Sequence, residues 1–186
     1  MDFLSLAQAC APVVDPKTLA AIVRTESGFN PLAIGINARV RLARQPQTKT
    51  EAIATAKQLI SRGYNIDMGL GQINSANLPK LRLSIDDVFD PCKNLSASGM
   101  ILQASYLKAK QSGQGEQSAL HSALSAYNTG SFQRGFHNGY VQKVIRNAGY
   151  ATKPGRALSP ASKTPHLPAK NSQPSDPFTQ SVMVYP

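Results

Sequence analysis

Apolar residues recur at helical spacing along most of the first 150 positions, and polar punctuation divides them into short elements. Leu19, Ile22 and Val23 follow Asp15-Pro16, where Asp15 suits an N-cap and Pro16 the first helical position. This predicts a helix over residues 15–26, stopped by Gly28, behind a shorter helix over residues 3–9 that is interrupted at Pro12. Residues 34–42 carry β-branched side chains around an Asn turn and predict a small hairpin. Thr48-Lys49-Thr50-Glu51 has the capping-box pattern and opens a helix with Ala52, Ile53, Ala56, Leu59 and Ile60 on one face, closed by Gly63. Asp90-Pro91-Cys92 leads into a helix reaching about Lys110, with Leu95, Ile101, Ala104 and Leu107 as its inward candidates. Residues 116–128 predict another helix, with Leu120, Ala123, Leu124 and Tyr127 on one face. A last helix carries Tyr140, Val141, Val144, Ile145 and Ala148 and stops at Gly149. The expected fold class is mainly α, a single domain with the hairpin as a small insertion beside the core.

Glu26 falls on the apolar face of its helix, in the last turn. A carboxyl held against apolar surface loses solvation of its charged form, so its pKa rises toward what a general acid needs near neutral pH. Taken alone, the position is more often that of a solvated residue at a fraying helix end. Asp67-Met68-Gly69-Leu70-Gly71-Gln72-Ile73-Asn74 places two glycines in three positions, as a turn does where backbone approaches something closely. Asp67 could cap that turn through its own backbone. Tyr127 and Tyr140 lie on apolar helix faces and would serve core packing there.

Composition narrows the partners. At 186 residues, 41% of them apolar, the chain can build one core plus a tail. A net charge of +10 favours polyanions, yet no arginine-rich block, phosphate loop or basic-aromatic stripe is present, which argues against nucleic acid. No apolar run approaches the roughly 18 residues of a membrane span. Residues 3–7 are too short for a signal-peptide core, so an export signal is not evident. Cys10 and Cys92 read either as two buried thiols or as a bridge, and neither cysteine nor histidine spacing supports a metal site. From Ala151 onward the composition shifts: seven of the 13 prolines lie in residues 151–186, which predicts a disordered Pro-rich tail.

Glu26-Ser27, then Gly69-Leu70-Gly71-Gln72-Ile73-Asn74, then Ala126-Tyr127-Asn128-Thr129-Gly130 form an ordered set that resembles the lytic transglycosylases of the goose-lysozyme-like superfamily. Within them it looks most like the small specialised enzymes of type IV secretion and conjugation systems. The resemblance covers most of residues 1–150, including Asp90-Pro91-Cys92 and Gly135-Phe136-His137-Asn138-Gly139-Tyr140-Val141, and excludes the tail. It implies a lysozyme-like fold over residues 1–150 and Glu26 as catalytic acid/base on the bond between N-acetylmuramic acid and N-acetylglucosamine in peptidoglycan. Ser27, Met68, Gly71, Gln72, Tyr127, Asn128 and Tyr140 would bind substrate, with the Tyr127 hydroxyl holding either Glu26 or an N-acetyl group and the Gln72 amide facing the sugar. No cofactor or metal is implied, because the substrate supplies the second nucleophile. The resemblance also implies a Cys10–Cys92 disulfide, a periplasmic location, a monomer, and secretion-system partners reached through the tail. Two rivals accompany it. Lysozymes with a similar Asp-x-Gly-x-x-Gln-Ile-Asn stretch carry a second carboxylate at the place of Asp67, which would make the enzyme a hydrolysing muramidase. A non-catalytic wall-binding assembly protein is the other.

Overall fold

The computed structural model describes residues 2–150 and 184–185. The tail expected over residues 151–186 otherwise lies outside the described residues.

Helix α1 (Phe3–Cys10) starts where the Asp2 carboxylate accepts the backbone N–H groups of Leu4 and Ser5. Helix α2 (Pro16–Glu26) starts with Asp15 accepting from Thr18 N at 2.9 Å and Pro16 in the first turn. It buries Leu19, Ala20, Ala21, Ile22 and Val23 in succession. Full burial of each large apolar side chain contributes about 1.5–3 kcal/mol, so this helix is anchored along its length and its last residue, Glu26, inherits that rigidity.

The hairpin expected over residues 34–42 does not form. Strand β1 (Ile34–Ile36) pairs antiparallel with β3 (Ile66–Met68) rather than with β2 (Arg41–Leu42). β3 turns back through Gly69–Gln72 onto β4 (Ile73–Asn74), giving a three-stranded sheet of order β1-β3-β4. Fully buried Ile66 and Met68, and nearly buried Ile34 and Ile73, explain the choice. The long-range pairing places these side chains in one core, which a local hairpin over Gly35 and Asn37 does not offer. β2 pairs instead with β5 (Val184–Tyr185).

Helix α3 (Lys49–Ser61) is capped by Thr48, whose hydroxyl accepts Glu51 N. The expected capping box is half realised, because the Glu51 carboxylate takes Gln47 N–H rather than the Thr48 N–H. After β4, a short 3₁₀ turn (Ser75–Asn77) and two brief helices, α4 (Leu78–Leu81) and α5 (Ile85–Val88), lead to α6 (Pro91–Gln111), which Asp90 caps at Lys93 N. Leu95, Leu102 and Ala109 are its buried side, while Ala104 and Leu107 face solvent. Two of the four expected inward residues therefore lie on the outer face of α6. Helix α7 (Glu116–Thr129) ends on left-handed Gly130, α8 (Arg134–His137) follows, and α9 (Tyr140–Tyr150) closes the domain.

Two apolar clusters result. One packs α1, α2, α6, α7 and α9 around Leu19, Ile22, Leu95 and Val141. The other gathers the sheet, α3, α5 and one side of α6 around Leu59, Ile66, Met68 and Phe89. Cys10 and Cys92 are bridged, with Cα atoms 5.1 Å apart, and tie the end of α1 to the start of α6. Closing a loop of 82 residues contributes about 4 kcal/mol by the chain-entropy argument.

Candidate active site

A cleft of about 410 Å³ lies where the two clusters meet, with Glu26 from α2, Tyr127 and Asn128 from α7, and Asp67, Gln72 and Asn74 from the sheet among its lining residues. The three sequence motifs converge there.

Glu26 is half-buried at the end of α2, and burial is the main cause that raises its pKa from 4.5 to about 7. The charge of Asp67 raises it further, while a hydrogen bond from Tyr140 and the charge of Lys143 act in the opposite sense. The Tyr140 hydroxyl reaches Glu26 Oε1 at 2.5 Å. Burial beside Glu26 pushes the Tyr140 phenol well above its ordinary value, so it stays protonated and donates. A second tie between the same helices runs from Asn147 Nδ2 to Thr25 Oγ1 at 2.8 Å. α9 therefore fixes both the end of α2 and the orientation of the carboxyl. Past Glu26 the chain leaves sharply through two left-handed residues, Gly28 and Phe29. The Phe29 ring packs against Phe3 and lies under the Arg24 guanidinium, 5.2 Å from its centroid.

Asp67 enters the cleft from β3. Its Oδ1 accepts Asn74 Nδ2 at 2.7 Å and its Oδ2 accepts Asn37 Nδ2 at 2.9 Å. Asn65 completes the cluster, exchanging bonds with Asn74 and accepting from Asn37 at 2.7 Å. Burial raises the Asp67 pKa and the two amide donors oppose the rise. Asp67 is thus a carboxylate on the cleft wall whose oxygens are both engaged, not a local cap of its own turn.

The Gly69–Gln72 turn is stapled from behind by Asn94, a buried side chain near the start of α6. Its Oδ1 accepts Gly71 N at 2.8 Å, and its Nδ2 donates to the carbonyls of Met68 at 3.0 Å and Val88 at 2.8 Å. Both glycines are required by this close approach. A Cβ on Gly69, itself at φ 76°, would come within 2.3 Å of Asn94 Nδ2, and one on Gly71 within 2.0 Å of Ser98 Oγ. Gln72 is held at φ 50°, and its Nε2 donates to Ala33 O and Gly69 O.

Several expected roles change in this geometry. The Tyr127 hydroxyl donates to Gly71 O at 2.7 Å, and it is Tyr140 that holds Glu26. Both donors of the Gln72 amide are committed to backbone, which leaves its Oε1 as the atom available to a sugar. Met68 is fully buried in the sheet-side cluster and is not part of the cleft wall. Gly71 is buried against Ser98 and Tyr127, so it shapes the turn from within. The Ser27 hydroxyl donates to Val23 O at 3.2 Å and finishes α2 instead of facing the cavity. Asn37, Asn65 and Asn94 were not singled out by sequence reasoning. Asn94 had no local signal, because its partners Gly71, Met68 and Val88 meet it only once α6 packs behind the glycine turn.

Residues 3–148 match the family model described as the transglycosylase SLT domain. The type IV secretion system protein virB1 of Brucella suis biovar 1 (strain 1330) is 45% identical over 199 residues, spanning 100% of this chain and 83% of that protein. Protein virB1 of Agrobacterium fabrum (strain C58) is 40% identical over 143 residues, 77% of this chain and 58% of that protein. No solved structure gives a significant match. The family match spans the helices and turns that build the cleft, and with the 45% identity to the Brucella suis protein it shows that the chain belongs to the SLT transglycosylase family and is a lytic transglycosylase.

Proposed function

We propose that residues 1–150 are the catalytic unit and that they cut the β-1,4 bond between N-acetylmuramic acid and N-acetylglucosamine in peptidoglycan, leaving a 1,6-anhydro end. The observation that carries this reading is the half-buried Glu26 carboxyl, pKa about 7, held by Tyr140 in a cleft of about 410 Å³.

Glu26 starts protonated and gives its proton to the glycosidic oxygen as the C1–O bond breaks, while the N-acetyl carbonyl oxygen of the muramic acid residue supports C1. The resulting Glu26 carboxylate then takes the proton of the C6 hydroxyl, and O6 closes onto C1. Each cycle returns Glu26 to its acid form, so one residue serves both steps. Tyr140 stays protonated throughout and steadies the carboxyl in both states. Asp67, with both oxygens engaged by amides, is suited to stabilising positive charge at C1 rather than to bonding with it.

Hydrolysis is a second reading, favoured by one observation: Asp67 shares the cleft and its charge acts on Glu26. Digesting purified peptidoglycan in heavy-oxygen water separates the two. Ring closure within the substrate yields anhydro ends without heavy oxygen, whereas hydrolysis yields reducing ends that carry it. Anhydro ends from both wild type and a slowed Asp67→Asn support the proposal. Labelled reducing ends from wild type would replace it with a muramidase.

The relatives named as type IV secretion proteins support a role outside the cytoplasm, opening the wall locally for such an apparatus. Residues 151–186 would then be the tail through which the enzyme meets other components.

A further inference from the structure

Just past the cleft lies a second, more open depression of about 500 Å³, lined by Thr129, Arg134, His137 and Asn138. Only the turn at the end of α7 separates the two: Asn128 and Gly130 line the cleft, and Thr129 between them lines the depression. We propose that this depression is a subsite for a carboxylate of the peptide stem that the muramic acid residue carries. The proposal rests on the glycan reading above and names which part of the polymer the neighbouring site takes.

Three observations point to an anionic ligand held beside the strand. First, Arg134, His137 and Asn138 bring nitrogen donors to the lining, while the Thr129 hydroxyl is committed to Ser125 O at 2.8 Å, and no carboxylate lines the depression. The Arg134 side chain makes no ion pair among the described residues. Its Nη2 gives one N–H to Thr129 O at 2.6 Å, which orients the guanidinium and leaves further N–H groups for a carboxylate fork. Second, the segment is built rather than loose. Ser125 Oγ donates to Ser131 O at 2.6 Å and accepts Gly135 N at 2.8 Å. A Cβ on Gly135 would come within 2.5 Å of Ser125 Cα, so α8 sits tight on α7. Third, the depression is coupled to the cleft wall, since Asn138 Nδ2 donates to Asn128 Oδ1 at 3.0 Å. A strand whose sugars occupy the cleft projects its stems sideways from the muramic acid lactyl groups. Arg134 then stands where a stem carboxylate passes, and His137 adds a second donor beside it.

The test compares steady-state constants on two soluble glycan chains of equal length that both bear peptide stems, one with its stem carboxylates free and one with them converted to amides. Wild type, Arg134→Gln, Arg134→Lys and Lys110→Gln are measured, the last being an exposed cation near the far end of α6 that sets the general effect of charge. Loss of the charge-assisted pair is expected to raise KM about tenfold for Arg134→Gln on chains with free stem carboxylates, with kcat within about twofold. On chains with amidated stems Arg134→Gln should match wild type, which also excludes a merely structural defect. Arg134→Lys keeps the charge and should recover part of the loss, and Lys110→Gln should leave both substrates alone. An equal change on both chains, or none on either, would overturn the subsite while leaving the glycan reading intact. No turnover of either chain by wild type would overturn the glycan reading and the subsite with it.

Discussion

Replacing Glu26 by Gln should abolish activity and at the same time make the domain more stable above neutral pH. The carboxyl has a pKa of about 7 in the folded protein against 4.5 as its ordinary value, chiefly because burial penalises its charge. Below about pH 4.5 both folded and unfolded chains hold the proton, and the residue contributes no pH dependence. Between pH 4.5 and about 7 only the folded state keeps it, so stability falls as pH rises. Above that range the folded state carries the full cost of a buried charge. Each tenfold in proton affinity is about 1.4 kcal/mol, which sets an upper limit of about 3 kcal/mol, and water on the open side of the cleft reduces this to roughly 2 kcal/mol. Glutamine is uncharged, has the same shape, and its Oε1 can still accept from Tyr140. Thermal unfolding of both proteins from pH 4 to 9 reads the difference. The variant should melt about 4–8 °C above wild type at pH 8, and the gap should close toward pH 4. A gap independent of pH, or a less stable variant at pH 8, would refute the claim that Glu26 is a strained, charge-averse group.

The other predictions concern the residues around it. Tyr140→Phe removes the bond that lowers the Glu26 pKa, so the alkaline limb of kcat/KM should move to higher pH while kcat falls roughly tenfold from lost positioning. Asn94→Ala strands Gly71 N and the carbonyls of Met68 and Val88, and denaturant titration should show a loss of about 3 kcal/mol or more. Gly71→Ala should cost about 1–3 kcal/mol by overpacking against Ser98, and Ser98→Gly in the same chain should recover part of it. Cys92→Ala opens the bridge to Cys10 and should cost about 2–4 kcal/mol, with activity retained below the lowered melting point.

Helix starts were the most legible feature of the sequence, because Asp15, Thr48 and Asp90 are local devices whose partners lie within three residues. Glu26 was legible for a related reason: its place on an apolar face follows from helical spacing alone. What sequence missed is long-range. The pairing of Ile34–Ile36 with Ile66–Met68 depends on side chains thirty positions apart reaching one core, and residues 34–42 offered a plausible local alternative. Tyr127 and Tyr140 could be placed near the cleft but not told apart, since which hydroxyl reaches Glu26 depends on how α7 and α9 pack on α2. Met68 shows the limit of carrying a motif across position by position: strand alternation turns its side chain into the core, while its neighbour Asp67 faces the cleft. The asparagine cluster around Asp67 had no local signature, because Asn37, Asn65 and Asn74 meet only once the sheet forms.

Mass spectrometry of purified peptidoglycan digested by wild type and by Glu26→Gln at pH 6 tests the central claim most directly. If Glu26 supplies the proton and later removes it, wild type alone releases anhydro-muropeptides, and the variant releases none despite binding the same wall. Anhydro products from Glu26→Gln at a rate near that of wild type would contradict the account, since an amide has no such proton to give.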